Sequence, residues 1–196
     1  MAQNHICGQD GRKPYKDVPM SYRHSRGMSL FESLICLSVL SIVASLAIPV
    51  FSGTLQRNRQ QLAIQQLRET VNFARATAIN DHGSVSVCHA PAGDCDSSSI
   101  WSVTTRVFRD RDRNGLQSAE EPTLLTSQLP KGMYWRWNNF RTLPHLTFLH
   151  SGITDALNGS FILCQGTEPR ARLVLNKAGR IETADLRSSD RCVRTP

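Results

Sequence analysis

The sequence predicts an α+β fold, in which one long N-terminal helix packs through its second half on an antiparallel β-sheet domain. Three observations carry this expectation. Residues 28–51 hold a single charge, Glu32, among 24 positions of which 17 are apolar. Residues 52–83 continue with helical periodicity, and from residue 84 onward apolar side chains alternate in short runs separated by turn signals. The 196 residues carry 23 Lys+Arg against 16 Asp+Glu, a net charge of +7, with 20% charged and 7% aromatic residues. That balance suits one modest folded domain with an appended segment. It excludes collagen-like, coiled-coil-only and multi-pass membrane chains, and the length excludes a large two-domain enzyme.

Residues 1–27 form a basic head, with Arg12, Lys13, Lys16, Arg23 and Arg26 against two acidic residues. No apolar periodicity runs through the first 19 residues, and Met20 offers a shorter start, so residues 1–19 are expected to be an extension without structure. The 24 residues that follow would span about 36 Å as a helix, enough to cross a bilayer core of roughly 30 Å. Basic residues before the span keep that side cytoplasmic and place the rest of the chain across the membrane. Cysteine usage agrees, since Cys88, Cys95, Cys164 and Cys192 form an even set on the translocated side, where disulfides persist.

The junction Arg26-Gly27-Met28-Ser29-Leu30-Phe31-Glu32 is the most informative stretch. A secretory signal would place a small-residue cleavage site after its apolar core, whereas here a glycine precedes the core and a carboxylate stands five residues after it. An acidic side chain at the centre of a membrane helix costs about 2.5–3.5 kcal/mol, and less near the interface. A cut after Gly27 would supply compensation. The new α-amine of Met28 would lie one helical turn from Glu32, in the same chain or in a staggered neighbour. These residues resemble the class III leader of type IV pilins and type II secretion pseudopilins. The resemblance implies that prepilin peptidase cuts after Gly27, that Met28 is N-methylated, and that Glu32 is the carboxylate guiding assembly. It also makes Pro49 the helix-bending proline. Ser29, Ser33, Ser41 and Ser45 share one helix face, and their simplest reading is serine bonded to its own backbone rather than a packing stripe.

Beyond the span, Ile64, Leu67, Val71, Ala74 and Ala78 form an apolar stripe, and Asp81-His82-Gly83 supplies a stop. One helix is therefore expected from about Met28 to Asp81, with bends at Pro49 and Gly53. Strands are expected at 84–88, 101–108, 123–129, 133–137, 145–149, 160–164 and 171–175, six to eight in all, laid on the helix as one sheet. Trp135 and Trp137 flank Arg136, so both should face the core. Three stretches of this half, residues 107–115, 159–164 and 172–180, resemble the GspH/FimT/FimU branch of the pilin-like proteins. That branch consists of minor pilins and pseudopilins built on a pilin-like fold, sparse subunits that initiate or cap a filament.

Asp110, Asp112, Asn114 and Gly115, followed by Glu121, match the calcium-loop pattern D-x-[DN]-x-[DN]-G-x5-E. Strand-like flanks, Gln117 at the usual apolar position, and the charges of Arg111 and Arg113 favour instead a solvated hairpin with an Asn-Gly turn. The expectation is accordingly no cofactor, with calcium as the alternative. Four cysteines allow three pairings. Locality favours Cys88 with Cys95 and Cys164 with Cys192, and a zinc site is disfavoured by the spacing. The six histidines are scattered, with His145 and His150 expected at the surface or rim, and no nucleophile, phosphate loop or metal-binding histidine pair is present. The chain is therefore not expected to be an enzyme.

Some FimT-like minor pilins bind DNA through Gly-Arg-x-Arg. The corresponding residues here are Gly179, Arg180, Ile181 and Glu182, and a glutamate in place of the second arginine repels phosphate, so DNA is not expected as a partner. The resemblance implies a minor subunit of a type IV pilus, located in the bacterial inner membrane with its domain in the periplasm and then at the filament tip. Its partners would be prepilin peptidase and other pilins, met through the N-terminal helix. A type II secretion pseudopilin is the first alternative, and a DNA-uptake pilin using Arg180 the second.

Overall fold

The computed structural model describes residues 28–193, with side chains left out at 46–50 and 52. The chain divides into two compact units, one ending at Leu46 and the other starting at Ala47. Helix α1 is assigned over Leu30–Asn80, close to the expected limits, and Glu32 supplies an acidic residue to its first turn. Pro49 lies within the helix, but its side chain and the bend expected there fall outside the described residues. Among the described residues no helix is long and apolar enough to cross a membrane.

In the second unit α1 buries Ala63, Leu67, Val71, Ala74 and Ala78, with Ile64 partly covered. The spacing of 4, 4, 3 and 4 residues keeps these side chains on one face. Thr70 is also buried, its hydroxyl donating to the Gln66 carbonyl. The helix stops where His82 takes a positive φ of 51° and Gly83 N–H donates to the Ala78 carbonyl.

Among the described residues nine strands follow. They are β1 (Val85–His89), β2 (Ile100–Ser102), β3 (Thr104–Arg109), β4 (Thr123–Gln128), β5 (Met133–Asn139), β6 (Leu146–Phe148), β7 (Gly159–Gln165), β8 (Glu168–Leu175) and β9 (Ile181–Ala184). They form two antiparallel sheets rather than the single one expected, in the orders β4-β3-β1-β6 and β2-β5-β7-β8-β9. The strand expected over 101–108 is two. Val103 sits between them at φ 58°, unusual for a β-branched residue, and lets β2 join β5 while β3 joins β1. The ninth strand has no counterpart among the expected ones, because Ile181-Glu182-Thr183-Ala184 offers one buried apolar side chain and no alternation.

Both sheets and α1 share one core. At its centre Phe161 stacks on Trp137 with centroids 4.1 Å apart, and meets Trp101 and Trp135 edge-on at 5.1 and 6.3 Å. Trp135 and Trp137 both face inward, as their alternation with Arg136 requires.

Cys88 is bonded to Cys95 and Cys164 to Cys192, the pairing that locality favours. The second bridge fastens the tail after β9 onto the second sheet, over Tyr134 and Ile162. Three further contacts hold the tail. The Tyr134 hydroxyl donates to the Val193 carbonyl, Arg136 Nη1 donates to the Arg191 carbonyl at 2.6 Å, and Arg172 pairs with Asp190 at 3.7 Å, both largely buried. The Cys164→Ser/Cys192→Ser double variant should lose about 3 kcal/mol of unfolding free energy, measured by urea titration without reductant. The loss comes from freeing a chain segment that the bridge constrains in the unfolded state.

Candidate functional site

Three regions hold the residues that the sequence singles out. The first is the start of α1. Gly27 lies outside the described residues. Met28 is the first of those described and is exposed, and Glu32 is exposed in the opening turn. Around it Leu30, Phe31, Leu34, Ile35, Leu37, Val39, Leu40, Ile42 and Val43 are also exposed, Leu30 at 79% and Phe31 at 70%. Consecutive positions point around the whole helix, so apolar surface is presented on every side, with Glu32 the one charge. Ser41 and Ser45 donate their hydroxyls to the carbonyls of Ser38 and Ile42, as serines do in an apolar helix. Cys36 is exposed and free.

The second region is the loop joining β3 to β4. It is longer than a tight hairpin, and the Asn114-Gly115 pair turns it back on itself rather than closing a two-residue turn. Asp110 is fully buried and anchors the loop. Its Oδ2 accepts from Ser86 Oγ at 2.5 Å and from Gly115 N–H at 3.0 Å, while its Oδ1 has no hydrogen-bond partner. Glu121, also buried, accepts from the Arg111 N–H at 2.8 Å through Oε1 and from the Ser118 N–H at 3.0 Å through Oε2. Asp112 is exposed and accepts from the Asn114 side chain at 2.6 Å. Oxygens of Asp110, Asp112 and Glu121 come within 4.8 Å of one another. Burial pushes the Asp110 carboxyl above its ordinary 3.8 against the hydrogen bonds from Ser86 and Gly115, and the neighbouring Asp112 carboxyl and the negative charge of Glu121 add to the rise. Gly115 is required twice over, because its φ is +74° and a Cβ there would fall 2.0 Å from His145 Nδ1.

His145 is thus not a rim residue. It is buried beside this loop, a placement its sequence neighbours gave no hint of, since only the fold of the loop brings Gly115 against it. Burial lowers its pKa from 6.5, helped by Arg141 and opposed by Asp110 and Asp155. Below pH 6.5 the unfolded chain therefore binds more protons at this histidine than the folded one. The stability contributed by His145 falls as pH drops through that value toward the lower folded one. Urea melts of His145→Gln and the wild type between pH 7.5 and 5 should show the shallower loss in the variant.

The third region is the edge around β9. Gly179 turns the chain at φ +73°, Arg180 is exposed, and Glu182 is exposed two residues on. Arg172 is committed inward, donating to Ser160 Oγ at 2.9 Å and pairing with Asp190, so it adds nothing to a phosphate-binding surface. Sequence reasoning also missed Phe140, which is 87% exposed between β5 and β6 next to Arg141.

Residues 63–179 match the family described as type II transport protein GspH. The fold is similar to that of the type IV minor pilin FimU of Pseudomonas aeruginosa, with 19% identity, 71% of this chain and 96% of that one covered, and a TM-score of 0.52. The minor pseudopilin EpsH from the type II secretion system of Vibrio cholerae aligns at 15% identity over 68% of this chain and 98% of that one, with a TM-score of 0.48. No curated protein matches. The family match takes in more than half of the chain, from the second half of α1 through β8, and the chain therefore belongs to the GspH family, sharing its fold with a minor pilin.

Proposed function

We propose that the chain is a minor pilin, made as a precursor, cut by prepilin peptidase after Gly27, methylated on Met28 and built into the initiating tip of a type IV pilus. Residues 28–51 hold it in the bacterial inner membrane before assembly, with the domain from residue 84 in the periplasm. The observation that carries this reading is the apolar surface on every side of α1 between Leu30 and Val43, joined to a GspH-family domain. A helix apolar all round is not stable in water and needs lipid or other apolar helices. A pilus offers both, lipid before assembly and a core of neighbouring N-terminal helices afterwards. Glu32 then meets an α-amine rather than hydrocarbon, in its own chain or in a neighbour.

The chain acts as a structural subunit, and its chemistry is association. A second reading, a minor pseudopilin of a type II secretion system, is favoured by the description of the matching family. A DNA-uptake role is disfavoured by Glu182 and by the inward commitment of Arg172. Deletion of the chain tests the reading directly. Surface filaments should disappear and return on complementation, while protein secretion is unchanged. Lost secretion with filaments intact would replace the first reading with the second.

A further inference from the structure

We propose that the loop from Asp110 to Glu121 is a calcium site, in which carboxylate oxygens of Asp110, Asp112 and Glu121 hold one ion. The inference does not depend on which filament the chain enters.

Electrostatics supplies the first argument. Three carboxylates lie with oxygens within 4.8 Å of one another, and two of them are buried. Such a cluster repels itself unless a cation or a proton intervenes. Among the described residues no ion pair reaches Asp110, Asp112 or Glu121. The nearby arginines are placed elsewhere. Arg111 and Arg113 are exposed, Arg109 pairs with Asp81, and Arg106 donates to Gln117.

Asp110 Oδ1 is buried without a hydrogen-bond donor, although Asp110 sits at full burial in a fold that satisfies its other oxygen twice. Buried carboxylate oxygens are ordinarily partnered, and an orphan beside two more carboxylates marks a place for a positive ligand.

Ligand chemistry then selects the ion. All three donors are oxygens, with no sulfur or imidazole among them, which suits a hard divalent cation. Asp110, Asp112 and Asn114 stand at alternate positions, Gly115 at the sixth and Glu121 at the twelfth, the spacing that wraps a backbone around calcium. The Gly115 N–H returns to the first aspartate of the loop, closing the turn this spacing requires. Strands flank the loop instead of helices, and the ion would brace the β3–β4 connection against β1 through Ser86 and Asp110. Magnesium fits less well, because it demands shorter and more rigid octahedral geometry and keeps its waters.

The test uses the full chain in detergent, stripped with EGTA and returned to CaCl2 or MgCl2. Calorimetric titration should give one calcium per chain with Kd of about 10⁻⁴ M or tighter. At ~5 mM CaCl2 the melting temperature should rise by about 5 °C or more, and by less than half of that in MgCl2. Asp112→Asn, at an exposed position, should fold with a calcium-free melting temperature no lower than that of the wild type, since it removes one of the mutually repelling charges, and should lose the rise. Asp94→Asn, at an exposed carboxylate on another loop, should keep it. The proposal is overturned if the wild type takes up no calcium, or if Asp112→Asn and Glu121→Gln retain the full rise. A cluster that responds only to pH would mean that Asp110 shares a proton instead of an ion, and would overturn it equally.

Discussion

Glu32→Leu is expected to leave the chain inserted and folded while cutting its incorporation into filaments by about ten-fold or more. Glu32 is the one charge between Met28 and Phe51, and exposed apolar side chains lie on every side of the helix around it. Leucine removes the one negative charge of residues 28–51 that can pair with an α-ammonium. An unpaired charge at the centre of the bilayer costs about 2.5–3.5 kcal/mol, less near its edge, and a ten-fold loss needs only about 1.4 kcal/mol. Fractionation separates assembly from insertion. The variant should remain in the inner membrane at wild-type amounts and be missing from sheared filaments. The domain from residue 84 should melt unchanged, because Glu32 lies in the other compact unit.

Phe161→Ala should be the most damaging single change to that domain, lowering the unfolding free energy by about 3–5 kcal/mol. Phe161 has no exposed surface and touches Trp101, Trp135 and Trp137, which come from β2 and β5. Truncation removes its buried area, opens a cavity that three rigid rings cannot close, and forfeits ring contacts of roughly 0.5–1.5 kcal/mol each. Urea unfolding should show the full loss, with a fall in melting temperature of roughly 10 °C. Phe140→Ala, at the exposed phenylalanine, should stay within about 0.5 kcal/mol of the wild type.

Much of this was legible in the sequence, because the relevant signals were local. The stripe from Leu67 to Ala78 and the alternation that turns Trp135 and Trp137 inward follow from periodicity within one element, and the end of α1 follows from the stop at Asp81-His82-Gly83. What escaped depended on distant parts of the chain. The split at Val103 exists because β2 and β3 find partners in different sheets, and nothing in a run of alternating residues announces that choice. The burial of His145 depends on a glycine that reaches it from another loop, and β9 is held by pairing to β8 rather than by its own composition. At the Asp110 loop the residue pattern was plain, but its weight came from burial. An exposed hairpin and a buried carboxylate with an orphaned oxygen look the same in one dimension.

The central claim is that this chain becomes a filament subunit by losing its leader at Gly27. Intact mass and N-terminal sequencing of the protein from membranes containing prepilin peptidase test it most directly. The account predicts a chain that begins at N-methylated Met28. A chain that keeps Gly27 and starts at Met1 or Met20 would contradict it, leaving a GspH-family domain anchored by an uncut signal.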